Sequence, residues 1–450
     1  MRNAVFVLFS TCFFLGMLFS QTKTLTLSAA VDLALEKNID VIRSQNAVES
    51  ADSKVLAAYG SYLPTVSASG GWTRNQTDQQ AGVRNVSGQN VTFPSSFSVS
   101  NTFSAGASLN YTLFNGFARE SSFKSAKAGA VSTQEQQKRT RQTIRNSVEN
   151  SYLDILRNEQ LVKVVDENLK RDQRQLERIT ESNKVGAVAL ADVYRQQSQV
   201  AADEMNVINA QNTFDQSKAD LIALIGLDPG VDYKIADASV SPVIDQTELK
   251  STQQNYQNSQ AFYDRALAAR SDCLSAKENV NAAEAGVTAA RSGYFPSVST
   301  YLQYGLYNDY LTPLGDLSNN KNTSWGIRLN WNVFDAFQTN EALQSAISSK
   351  HDADAAMLQA ERAIAVALKK AFLNLDAARK QVEVSQMGLT SATEDRKIAE
   401  ERYNLGSGTL LDLLTANAGL VNAEVNSVDA SYFYIMAKRN LEYAIGERTY

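Results

Sequence analysis

The sequence is poor in the residues that interrupt structure. Its 450 residues include only 22 glycines and 6 prolines. Few breakers mean long unbroken elements, and long helices are the commonest of these. Metal and redox chemistry is scarcer still, with one histidine, His351, and two cysteines, Cys12 and Cys273. Such a set builds neither a zinc site nor a disulfide framework, so no cofactor or metal is expected. No nucleophile–base pairing or phosphate-binding glycine loop occurs either, which speaks against an enzyme. His351 lies in a polar helical stretch and reads as a surface residue. Blocks of lysine and arginine are missing, and the formal charge is −5. That leaves no basic face for nucleic acid. Beyond residue 20 no segment is long and apolar enough for a transmembrane helix, so a mature chain in a membrane must use β-strands.

What is present is the composition of a folded chain. Hydrophobic residues make up 44% and charged residues 20%, which excludes disorder by composition. The N-terminus places Arg2 before an apolar run from Ala4 to Phe19, and polar sequence follows from Gln21. This reads as a secretory signal over residues 1–20, cleaved before Gln21. Cys12 sits inside the apolar run rather than after it, which disfavours a lipid anchor.

The chain then repeats itself. Phe114 and Phe334, Gly186 and Gly406, and Gly226 and Gly446 are each 220 positions apart, within matching local sequence. Upstream, Tyr62-Leu63-Pro64 matches Tyr294-Phe295-Pro296 at an offset of 232. The first copy therefore carries 12 extra residues between its proline and its phenylalanine. Length variation belongs in loops, so the excess should lie in a hairpin tip. The expected organisation is a first repeat over 21–226, a linker over 227–254 and a second repeat over 255–450. Each repeat opens with one helix, about Ser28 to Tyr59 and about Asn255 to Ser292. Two strands follow (65–75 and 97–114; 297–308 and 323–334). A helical hairpin closes each repeat, over 117–226 and 337–446. Within the first long helix, Ile144, Val148, Tyr152, Ile155, Val162, Val165, Leu169, Leu176 and Ile179 keep coiled-coil spacing.

The strands alternate. From Phe97 to Leu113 odd positions are mostly apolar, whereas even positions are small and polar. Trp325, Ile327, Leu329, Trp331 and Val333 oppose Ser324, Gly326, Arg328, Asn330 and Asn332 in the same way. A soluble sheet lying on a core gives this pattern, and so does a membrane barrel with a wet lumen. The small polar face, uncharged except at Arg328, the strand lengths and the aromatic residues favour the barrel. Four strands cannot close one, and lipid tolerates no open edge, so several chains must assemble.

The second helical break reads Arg402-Tyr403-Asn404-Leu405-Gly406-Ser407-Gly408-Thr409-Leu410-Leu411-Asp412-Leu413-Leu414, with Ala416 following. It resembles the R-Y-x-x-G-x-x-x-x-x-D-x-L-x-A pattern of the TolC family of outer-membrane factors. The first break, Val185 to Val193, is similar but weaker, and the opening A-V-D-L-A-L-E-K-N after Ala29 also fits. The resemblance runs from about Leu25 to Glu447. It implies a mixed α and membrane-β fold with two structural repeats per chain. A homotrimer would form a twelve-stranded β-barrel continuous with a twelve-helix coiled-coil tunnel. It further implies an exit duct for a tripartite efflux or type I secretion system, set in outer-membrane lipid and partnered by a periplasmic adaptor and an inner-membrane pump. A non-conducting outer-membrane stalk or adhesin is the competing reading.

On the same resemblance the breaks are adaptor-contacting tips, comprising Val185, Gly186 and Ala187, and Leu405, Gly406, Ser407 and Gly408. Asp412, Asp192 and Tyr403 are the gate candidates. Both aspartates stand six positions after the tip glycine. Carboxylates converging in an oligomer raise negative potential in a narrow pore. Each could instead cap or solvate its returning helix. Gly408 and Thr415 depart from family members that carry an arginine and a second acid there, which argues against a multi-residue charged latch.

Overall fold

The computed structural model describes residues 23–231, 233–236, 244–255, 259–309 and 320–446. The signal segment with Arg2 and Cys12, part of the linker and the last four residues lie outside the described residues.

The elements run in order as follows. Strand β1 (Lys23–Leu25) precedes α1 (Leu27–Lys37) and α2 (Ile39–Gly60). Strands β2 (Thr65–Gln79), β3 (Gly82–Val86), β4 (Gln89–Phe93) and β5 (Ser96–Phe114) lead into α3 (Ala118–Lys184) and α4 (Leu190–Ile225). After β6 (Tyr233–Ile235) come α5 (Gln246–Asn255), α6 (Ser259–Ala269) and α7 (Ser271–Arg291). Strands β7 (Ser297–Asn308) and β8 (Lys321–Asn330) precede α8 (Gln338–Asn404) and α9 (Leu410–Ile445). Both α3 and α8 are 67 residues long, about 100 Å at 1.5 Å per residue.

One antiparallel sheet has the order β2-β5-β7-β8. Its register gathers the apolar positions on one face. Trp72 lies opposite Phe103, Leu109 opposite Leu302, and Leu302 opposite Trp325. That face is bare in the single chain, with Trp325 78% and Ile327 71% exposed. The soluble-sheet reading needs a core over this face, and the described residues provide none. Strands β2 and β8 each have a neighbour on one side only.

The strand boundaries differ from the expectation at two places. Strand β2 continues to Gln79, held by an unbroken ladder to Ser96 on β5. Strand β8 stops at Asn330 instead of reaching 334. Beyond it the Trp331 indole donates to the Tyr294 carbonyl (3.2 Å), and Phe334 meets the Phe337 ring edge-on (5.8 Å between centroids). Those contacts draw the chain off the ladder toward α8. In the first half, β3 and β4 pair as a separate small hairpin over 82–93, within the longer β2–β5 connection.

Neither opening helix is continuous, contrary to the expectation. The first breaks at Asn38, whose backbone is extended (φ −63°, ψ 133°). Its side-chain oxygen caps α2 by accepting from the Asp40 N–H (2.8 Å), and its amide donates to the Leu224 carbonyl (2.7 Å). The second breaks at Arg270, also extended (φ −75°, ψ 125°), whose Nη1 donates to the Ala444 carbonyl (3.0 Å). Asn38 and Arg270 stand 232 positions apart, and Leu224 and Ala444 stand 220 apart. At both places a polar side chain ties the break to the end of a hairpin helix, satisfying carbonyls a helix terminus leaves open.

Two cores hold the helices. One joins α1, α3 and α9 around Ala30, Val148, Tyr152, Ile155 and Tyr432. The Tyr152 hydroxyl donates to the Leu25 carbonyl (3.0 Å) there. The other joins α6, α7, α8 and α9 around Ala266, Cys273, Ile364, Val382 and Tyr434. Cys273 is thus a small core residue. Among the described residues no helix is long and apolar enough to cross a membrane.

Candidate functional site

The two helical breaks lie side by side at one end of the hairpins. Each is closed by a Schellman turn. Gly186 N–H donates to Asn183 and Ala187 N–H to Ser182, both at 2.9 Å. Gly406 N–H donates to Tyr403 (3.0 Å) and Ser407 N–H to Arg402 (2.9 Å). The glycines take φ of 77° and 72°, a left-handed conformation costly for residues with a Cβ. The turn thrusts the preceding residue outward, leaving Val185 81% and Leu405 82% exposed. Two large apolar side chains therefore stand in solvent at matched positions.

A cleft of about 690 Å³ separates the tips, lined among others by Ala187, Asp192, Arg195, Tyr403, Gly406 and Gly408. Its floor is a small apolar cluster of Ile179, Val193 and Leu410, with Tyr403 and Leu414 packed against it. Tyr403 is half-buried. Burial, then the nearby Asp192 carboxylate, push its hydroxyl pKa up, so it stays protonated. Asp192 pairs with Arg195 one turn along α4 (3.0 Å). Asp192 and Tyr403, from different hairpins, thus share one cleft.

Asp412 is placed differently. It closes a capping box: the Asp412 N–H donates to Thr409 Oγ1 (3.1 Å), and the Thr409 N–H donates to Asp412 Oδ2 (3.0 Å). That backbone bond, followed by the Thr409 hydroxyl, holds its carboxyl below the usual carboxylate range. Capping therefore accounts for Asp412 within one chain. It does not account for Asp192, because α4 is capped by Ala189 without a side-chain bond.

The sequence reading missed a polar cluster higher on the hairpins. Asp172 on α3 and Asp203 on α4 are 4% and 2% exposed. Asn417 on α9 donates to Asp172 Oδ1 (3.2 Å) and to Asn168 Oδ1 (3.0 Å). Gln199 donates to Asp203 (3.2 Å). Burial, and then contact with Asp203, push the Asp172 carboxyl up to about 7. The signal was available: between Leu169 and Leu176 the apolar seam skips a turn, and Asp172 fills that position.

Four antiparallel strands continuing into two long helical hairpins define a class: outer-membrane proteins whose sheet is prolonged by a helical periplasmic part. A membrane protein from Pseudomonas aeruginosa has this fold, with a TM-score of 0.78 at 20% identity over 93% of both chains. So does the Campylobacter jejuni CmeC outer membrane channel, with a TM-score of 0.77 at 19% identity over 93% of this chain and 85% of that one. Residues 30–227 and 262–447 match the outer membrane efflux protein family, and the chain belongs to that family. Outer membrane protein TolC of Salmonella enteritidis is 23% identical over 131 residues, 29% of this chain and 27% of that protein. Membership places the chain in the outer membrane, in a family of channels rather than enzymes.

Proposed function

We propose that the protein is the exit duct of a tripartite efflux or type I secretion system. Three copies close a twelve-stranded barrel in outer-membrane lipid, and their hairpins form a twelve-helix tunnel through the periplasm. The observation that carries this reading is the four-stranded sheet with two open edges and a bare apolar face. In lipid every strand edge must be paired, so β2 of one copy has to meet β8 of the next. The small polar face, charged only at Arg328, then lines a wet lumen, which a stalk has no use for.

At the far end the exposed Val185 and Leu405, with Gly186, Ala187, Gly406, Ser407 and Gly408, form the surface that meets a periplasmic adaptor. The adaptor in turn joins an inner-membrane pump. Asp192 and Tyr403, brought together in each copy, line the closed entrance, with Asp412 shaping the second tip. Repetition around a three-fold axis gathers the carboxylates where the bore is narrowest.

The mass of the detergent-solubilised protein, corrected for bound detergent, tests the assembly. Three protomers per particle are expected. A monomer or a dimer overturns the barrel.

A further inference from the structure

The polar face of the sheet carries one ionised side chain. Serine, threonine, asparagine, glutamine, glycine and tyrosine fill the rest of that face as far as the bulge after Thr112 on β5. Arg328 on β8 is the exception among the described strand residues. It stands two residues before the end of β8, opposite Ser299 on β7, where the sheet passes into the helices. Charged residues elsewhere on the strands, such as Arg74 and Asp78, lie on the opposite face by register.

Arg328 is also held in place. Its guanidinium carbon lies 5.2 Å from the centre of the Tyr301 ring. Tyr301 in turn faces Gly326 across the ladder. A Cβ at position 326 would sit 3.0 Å from the Tyr301 hydroxyl oxygen and 3.2 Å from two ring carbons. Glycine therefore lets the ring lie flat on the strand, and the flat ring supports the guanidinium by cation–π attraction and stacking. A glycine, a tyrosine and an arginine on adjacent strands make one unit that presents a fixed positive charge.

We infer that Arg328 is a selectivity residue of the duct, forming a cationic collar at the inner end of the lumen that binds solutes bearing carboxylate or phosphate groups. This rests on the barrel proposed above. Three guanidiniums around one bore add their potentials, and their planar forks match carboxylate and phosphate oxygens. At 0.1 M salt the Debye length is about 10 Å, so the collar acts over the width of a narrow lumen. The acidic entrance at the other end has the opposite sign. The collar therefore acts on anions arriving from the barrel side.

Single-channel recording with citrate as the probe tests the assignment. The purified protein is placed in a planar bilayer in 0.1 M KCl, and citrate is added to the barrel side alone. Wild-type current should be blocked, and block should fade in 1 M KCl. Arg328→Gln should raise the half-blocking concentration roughly tenfold or more, since each lost charge-assisted contact is worth about a factor of ten. Arg328→Lys should retain part of the block, and Tyr301→Phe, which keeps the ring, should retain most of it. Equal block of wild type and Arg328→Gln, or no block of wild type, overturns the collar. A wild-type protein that does not conduct overturns instead the channel reading beneath it.

Discussion

Replacing Asp203 by asparagine should stabilise the protein at pH 8 and flatten its dependence on pH. Asp172 and Asp203 face each other in the packed interior of three helices. Burial, then the neighbouring Asp203, raise the Asp172 carboxyl from an ordinary 3.8 to about 7. The folded chain therefore holds this proton up to about pH 7, whereas the unfolded chain releases it near 3.8. Between those limits the folded state binds more protons, so stability falls as pH rises and levels off above about pH 7. A rise of about three units corresponds to at most about 4 kcal/mol across the window. Asp203→Asn removes the like charge but not the burial. Its expected gain at pH 8 is therefore a fraction of that, about 1–2 kcal/mol. Arg171, Arg178, Arg396 and Glu400, with Asp172 around a small neighbouring cavity, are unchanged by the substitution. Loss of helical circular dichroism on heating, followed in detergent from pH 4.5 to 8, gives the measurement. A wild-type midpoint that is flat over this range refutes the reasoning, as does an Asp203→Asn protein less stable than wild type at pH 8.

Ala336 takes a left-handed conformation (φ 53°) where the equivalent turn carries Gly116 (φ 67°). Ala336→Gly should stabilise by about 0.5–1 kcal/mol, the relief of strain exceeding the added freedom of the unfolded chain; urea unfolding at fixed pH measures it. Tyr152→Phe should cost about 1–2 kcal/mol in the same assay, because the buried Leu25 carbonyl loses its donor. Thr409→Ala should cost about 1 kcal/mol by opening the second tip's capping box, with faster hydrogen exchange at the first turn of α9. The Asp412 carboxyl is depressed, so its contribution persists above the ordinary carboxylate range and is lost only as pH falls below it. Protection of that turn should accordingly be equal at pH 5 and pH 7. Asp192→Asn should lower the cation preference of single-channel currents, whereas an unchanged preference would remove Asp192 from the entrance.

The alternation from Phe97 to Leu113 and around Trp325 exposed the strands because the register gathers apolar side chains on one face and small polar ones on the other, which leaves a period of two. The helical breaks at Gly186 and Gly406 were legible because a left-handed turn demands glycine. Asn38 and Arg270 were not, since each break depends on a carbonyl of a helix far along the chain, at Leu224 and Ala444. The early end of β8 likewise depends on Trp331 reaching Tyr294. At the tips, Asp192 and Asp412 have the same spacing from a glycine, and sequence put Asp412 first as a gate candidate. Local geometry separates them, because Thr409 supplies a capping hydroxyl where Ala189 has none. Asp172 passed unnoticed because a single polar residue in a long seam looks like noise until its partners on α4 and α9 are in place.

The central claim is that copies of this chain enclose a conducting path, and current through a planar bilayer tests it most directly. Purified wild-type protein should give discrete single-channel steps with a preference for cations, as the proposed acidic entrance requires. A bilayer that stays insulating at loads where the protein has inserted would contradict the account.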